Sequence, residues 1–202
     1  MKKLVLSVLF VSSMMTAQRM DVVKGNFDFL KDQKEINVQF DYSELTLMKE
    51  NKSEATYVEE RTNELNEKHK NVGDIWAKKW EASKELSWNP KFLELVNVVL
   101  SKKDVDVSFQ EGLTAAPYTL IVKSVWIYPG WDVMMMKQPA KVTTLLTFVE
   151  TGNPTNVLAE ITSKDAPGDQ WGNNFSNETR IGEGYAKTGK SLAQRLLKSV
   201  YR

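Results

Sequence analysis

Ile36, Val38, Phe40 and Tyr42 alternate with Asn37, Gln39 and Asp41, and Leu45 and Leu47 continue the apolar content. This period of two predicts a strand over residues 35–47 with one wet face. After the polar stretch MKENKSE, the period lengthens. Between Ala55 and Leu86 an apolar stripe runs through Val58, Leu65, Val72, Trp76 and Trp80, spaced for one face of a helix. Unbroken, that segment would extend about 48 Å, more than the roughly 40 Å width of a domain this size. A break is therefore expected at Asn71-Val72-Gly73-Asp74, with Gly73 ending one helix and Asp74 capping the next. Asn89-Pro90 reads as the cap and first position of a further helix, buried through Phe92, Leu93, Leu95, Val96, Val99 and Leu100.

The pattern then returns to strands. Val105, Val107 and Phe109 alternate with polar neighbours, and YTLIVKSVWIY (118–128), KVTTLLTFVE (141–150) and VLAEITS (157–163) are strongly β-forming. The connector Gly152-Asn153-Pro154-Thr155-Asn156 favours a turn, so the last two strands should form an antiparallel hairpin. Residues 131–139 bridge two strands, and 164–177 form a polar loop. Asn177 can cap a terminal helix carrying Ile181, Tyr185, Leu192, Leu196 and Val200 on one face, with Ala186, Gly189 and Ala193 beside it to allow close packing. Strands and helices are segregated rather than alternating. The expected fold is α+β, a mainly antiparallel sheet with helices packed on one face.

Composition removes several function classes. The 202 residues carry 27 basic and 26 acidic side chains, so the basic field required for nucleic-acid binding is missing. There is no cysteine, which excludes disulfides, thiol nucleophiles, Fe–S clusters and lipid attachment to an N-terminal cysteine. Lys2 and Lys3, the apolar run LVLSVLFV and the small-residue exit SSMMTA predict a secretory signal over residues 1–17. Its apolar stretch is shorter than the roughly 20 residues that span a bilayer. The expected product is one α+β domain over 18–202, periplasmic or secreted, with no transmembrane span once the signal is removed.

Candidate chemistry is sparse. His69 is the only histidine, sits on the apolar stripe of the charged helix, and reads as a partly buried helix residue. No G-x-S-x-G, G-x-G-x-x-G or P-loop motif is present, and Gly182-Glu183-Gly184 reads as small residues packed in the terminal helix. No cofactor, metal or catalytic residue is assigned. Asp165 and Asp169, with Asn173 and Asn174, offer oxygen ligands for Ca²⁺ but lack EF-hand spacing. The excess lies in aromatic residues: Tyr128, Trp131, Trp171 and Phe175 fall at a strand end or in loops, where rings can stack on a ligand. Trp126, on the same strand, joins this group, with a place in the core as the competing reading. Met134, Met135 and Met136 add a soft, adaptable surface.

YTLIVKSVWIYPGWDV, KVTTLLTFVETGNPTNVLAEIT and RIGEGYAKTGKSLAQRLLKSVY, all within residues 118–201, resemble uncharacterised secreted or periplasmic domains of Gram-negative bacteria. Those domains look like relatives of transporter-auxiliary envelope lipoproteins. The resemblance covers under half the chain and implies a strand, a hairpin and a closing helix in a cell-envelope protein. It carries no catalytic residue, and the lipid-anchoring cysteine common in such relatives is absent here.

The expected function is a non-enzymatic envelope protein that binds a protein, peptide or glycan partner through rings at Tyr128, Trp131, Trp171 and Phe175. The alternatives are a carboxylate-dependent hydrolase using Asp132, Asp165, Asp169 or Glu178, and a purely structural envelope protein.

Overall fold

The computed structural model describes residues 18–133, 136–168 and 176–201. Strand β1 (Arg19–Gly25), a 3-10 turn at Asp28–Leu30, β2 (Glu35–Asp41) and the short strands β3 (Thr46–Leu47) and β4 (Lys52–Ser53) precede three helices, α1 (Glu54–Lys68), α2 (Val72–Ser83) and α3 (Asn89–Ser101). Then come β5 (Ser108–Glu111), β6 (Tyr118–Tyr128), β7 (Trp131–Val133), β8 (Met136–Gln138), β9 (Ala140–Glu150), β10 (Asn153–Gly168) and α4 (Asn177–Ser199).

The main sheet runs in the order β1-β10-β9-β6-β2-β5, and β7 pairs only with β8 among the described residues. From β1 to β6 every pairing is antiparallel, including the predicted β9–β10 hairpin. Beyond β6 the sheet changes sense, because β2 lies parallel to both β6 and β5. The helices between β2 and β5 carry the chain back to its starting end, the usual requirement for a parallel pair. The fold is α+β as expected, with a mixed edge. Leu120, Val122 and Ser124 of β6 and Val142, Thr144, Leu146 and Phe148 of β9 are buried beneath the helices. The predicted wet face of β2 is interrupted at Asn37. Its buried amide nitrogen donates to Thr119 Oγ1 at 3.0 Å, while its Oδ1 has no hydrogen-bond partner among the described residues.

The helices break where expected but by a different device. Asn71 supplies the left-handed residue, with φ 66°, while Gly73 lies inside the first turn of α2. A Cβ on Gly73 would sit 2.0 Å from the Thr62 carbonyl oxygen, so glycine is what lets the two helices touch. Asp74 does not cap α2; it accepts from the Asn66 amide at 3.3 Å, and Asn66 Oδ1 accepts from the Gly73 N–H at 2.8 Å. At the far end of α1, Trp80 Nε1 donates to Glu54 Oε1 at 2.8 Å. The predicted single apolar stripe is thus folded into an antiparallel helical hairpin. Val72 is 40% exposed, and His69, at the end of α1, is exposed rather than partly buried.

Asn89 does not cap a new helix. At φ −58° and ψ −52° it is helical, because α2 continues through a π turn at Lys84–Trp88 directly into α3. Pro90 has no N–H and its ring collides with the carbonyl four residues earlier in regular α geometry; a wider turn just before it removes the conflict. The Asn89 side chain accepts from the Tyr42 hydroxyl at 2.7 Å instead. In α4 the cap is Ser176, one residue earlier than expected, accepting from the Thr179 N–H. Gly184 lies against Val142 of β9, and a Cβ on Gly189 would meet the Phe92 carbonyl oxygen of α3 at 2.3 Å. The small residues predicted in α4 therefore fit it against both sheet and helix.

Beyond the predicted strands, β10 extends through Gly168, with a register shift between Ser163 and Ala166 and Asp165 at φ 55°. In the segment expected to be a plain bridge, Trp131–Val133 and Met136–Gln138 pair as antiparallel strands; Met134 and Met135 lie outside the described residues.

Candidate functional site

A crevice of about 510 Å³ opens where β6 ends. Its floor and walls come from three places. Residues Tyr57, Glu60, Arg61 and Glu64, at spacings of three and four, form one face of α1. The turn after β6 contributes Tyr128, Pro129, Gly130, Trp131 and Asp132, and the first turn of α4 contributes Asn177 and Arg180. Met48 and Lys52, flanking the β3–β4 connection, complete the lining.

The turn that presents Trp131 is tightly constrained. Gly130 has φ +68°, and a Cβ there would lie 2.4 Å from the Gln138 carbonyl oxygen, so no other residue fits both demands. Arg180 holds the turn from α4: Nε donates to the Pro129 carbonyl at 3.3 Å and Nη2 to the Gly130 carbonyl at 3.4 Å, while Nη2 also reaches Asn177 Oδ1. The side chain is 5% exposed. Burial lowers its pKa, opposed by the nearby charges of Asp132 and Glu178. Trp131 is 38% exposed, and Tyr128 is half-buried, stacked on Trp126 at 6.3 Å and 15°. Trp126 is pinned in turn by donation from Nε1 to the Met48 carbonyl at 2.7 Å.

The α1 wall is a ladder of ion pairs. Lys52 pairs with Glu60, and Glu64 accepts from Arg61 at 2.5 Å and from Lys68 at 2.6 Å. The hydrogen bonds from Lys68 and Arg61 hold the Glu64 carboxyl below its ordinary range. Glu60 hydrogen-bonds Lys52 and raises its pKa. Burial pushes Tyr57 up to about 12. Arg61 Nε is buried with no hydrogen-bond partner among the described residues. The lining holds three cations, Lys52, Arg61 and Arg180, against three anions, Glu60, Glu64 and Asp132.

The structure thus brings two of the four predicted ring residues, Tyr128 and Trp131, to one crevice; Trp171 and Phe175 lie outside the described residues. The candidate carboxylates fall on different elements, with Asp132 and Glu178 both near Arg180. Asp132 lines the crevice, Asp165 occupies the β10 irregularity with its N–H bonded to Thr143 Oγ1 at 3.2 Å, and Asp169 lies outside the described residues. Glu178 is buried against Ser176 and pairs with Lys79 of α2 at 3.4 Å. Among the described residues no group of three or more His, Asp or Glu side chains could hold a metal ion.

Sequence reasoning missed Tyr57, Arg61 and Arg180. Arg180 carried a usable signal, since a cation in the first turn of a helix opposes the dipole and needs a specific partner to be held there. Tyr57 and Arg61 gave none, because a polar helical face reads as solvated.

No protein-family model matches the chain, and no curated protein matches it. Among solved structures, the chain is similar to the PelC dodecamer from Paraburkholderia phytofirmans, at 10% identity and a TM-score of 0.39, over 88% of this chain and 98% of that one. A single-residue variant of the same PelC dodecamer matches at 9% identity and a TM-score of 0.40, with the same coverage. Likeness at this level carries no argument about function.

Proposed function

We propose that the chain is a non-enzymatic cell-envelope protein, exported to the periplasm or beyond, that binds a protein, peptide or glycan partner in the crevice at the end of β6. The observation that carries this reading is the placement of Tyr128 and Trp131, joined by Tyr57, around one 510 Å³ concavity lined with paired charges. Rings with a polar edge and a partly open face suit contact with a ligand that is neither wholly apolar nor wholly charged. The rigid turn behind Trp131 also presents that ring at little ordering cost on binding. Among the described residues no helix is long and apolar enough to cross a membrane.

The test is affinity capture from a native envelope extract with the unaltered chain, Trp131→Ala and Trp171→Ala. Loss of a captured partner with Trp131→Ala, at unchanged melting temperature, supports the reading. If both variants capture everything the unaltered chain does, the crevice is not the binding site.

A further inference from the structure

We infer that the ligand of the crevice is an uncharged glycan segment; this rests on the binding role proposed above and narrows it. Charge is the first ground. The three cations and three anions of the lining balance, and most are tied to one another: Lys52 to Glu60, Arg61 to Glu64, with Lys68 also on Glu64. At Lys52, Glu60, Arg61 and Glu64 an ionic ligand would compete with an existing pair for its counter-charge. A neutral polyol need not, because carboxylates accept and guanidinium groups donate, and neighbouring hydroxyls can do both.

The second ground is the mixed character of the lining, where three rings and six charged side chains leave few aliphatic groups. Met48 and Pro129 are the aliphatic side chains of the lining. The third is the rings. Trp131 keeps 38% of its surface open on a turn fixed by Gly130 and Arg180, and Tyr57 and Tyr128 line the same crevice. An indole face against C–H groups, with planar hydrogen-bonding groups around it, matches the two-sided polarity of a sugar ring. At about 510 Å³ the space lies within the range of small-ligand sites, ~300–1,000 Å³.

The experiment titrates the whole chain with gluco-, manno- and N-acetylglucosamine oligosaccharides, and with oligogalacturonate and chitosan oligomers as anionic and cationic counterparts. Binding is followed through the indole N–H resonances at low and high salt, with Trp131→Phe assigning the Trp131 signal. The expected result is that at least one neutral series saturates the Trp131 signal with an affinity indifferent to salt. Trp131→Ala should weaken that affinity about tenfold or more at unchanged melting temperature. Binding confined to a charged series and weakened by salt overturns the assignment, as does no saturation by any neutral series. If Trp131→Ala abolishes envelope capture while the neutral oligosaccharides fail to bind, the binding role stands and the glycan assignment falls. If it alters neither readout, both fall.

Discussion

The indole of Trp88 lies flat on the ring of Tyr185, with centroids 5.7 Å apart and planes 8° from parallel. This stack joins the π turn between α2 and α3 to the middle of α4. It belongs to a continuous run of rings: Trp80 meets Trp88 edge-on at 5.1 Å, Tyr57 and Trp76 approach Trp80, and Tyr42 touches both members of the stack. Trp88 Nε1 donates to the Glu178 carbonyl at 2.9 Å and the Tyr185 hydroxyl bonds Ser124 at 2.5 Å, so the polar atoms of both rings are satisfied inside the core. Trp88→Ala should cost about 3–5 kcal/mol in urea denaturation, and Trp88→Phe distinctly less.

Removing only the buried hydroxyl tests the polar half of that arrangement. Tyr185→Phe leaves Ser124 Oγ without its partner and should lose about 1–3 kcal/mol. Adding Ser124→Ala should recover part of the loss, giving a non-additive double-mutant cycle in the same denaturation assay.

Gly189 lies in the interior of α4, where alanine would ordinarily add about 1 kcal/mol of helix stability. Here the new methyl would meet the Phe92 carbonyl at 2.3 Å. Gly189→Ala is therefore expected to destabilise by about 1–3 kcal/mol in chemical denaturation, the reverse of the propensity scale.

High pH should unfold the chain through its tyrosines. Burial holds Tyr57 and Tyr201 up to about 12, and pushes Tyr42 and Tyr185 well above the ordinary value. Because the folded pKa values exceed the unfolded ones, this stability is intact below about pH 10 and is lost as pH rises toward 12. Tyr57, 8% exposed, contributes on the order of 2–3 kcal/mol to that slope. Paired tyrosinate-absorbance and circular-dichroism titrations should show cooperative alkaline unfolding, shallower in Tyr57→Phe.

The turn behind Trp131 is expected to depend on Arg180. Arg180→Met removes the donors held by the Pro129 and Gly130 carbonyls and should cost about 1–3 kcal/mol. Faster hydrogen exchange over residues 128–132, with no change in the β9–β10 hairpin, would locate the effect; uniform loosening would show that Arg180 acts on the core as a whole.

What the sequence reveals depends on how far each element's burial is one-sided. β6 is observed over the predicted Tyr118–Tyr128, and the β9–β10 hairpin forms as read, because β-branched and aromatic residues alternate beside a strong turn. β1 escaped notice because it is an outer strand exposed along nearly its whole length, with Val22 and Val23 at 40% and 59%, so no alternation exists to read. The π turn escaped because Asn89-Pro90 looks locally like a helix start, whereas Trp88 docks against α4, a segment distant in sequence. Half of the site was legible. Tyr128 and Trp131 stand out as rings at a strand end, whereas Arg61 and Arg180 take their meaning from segments distant in sequence.

The crevice is walled by residues running from Met48 to Arg180. Nothing short of the completed chain can assemble it: a fragment ending at β10 would have Trp131 but not the arginine that holds its turn. Closure of the crevice therefore waits on the docking of the final helix, which brings Arg180 against the turn behind Trp131.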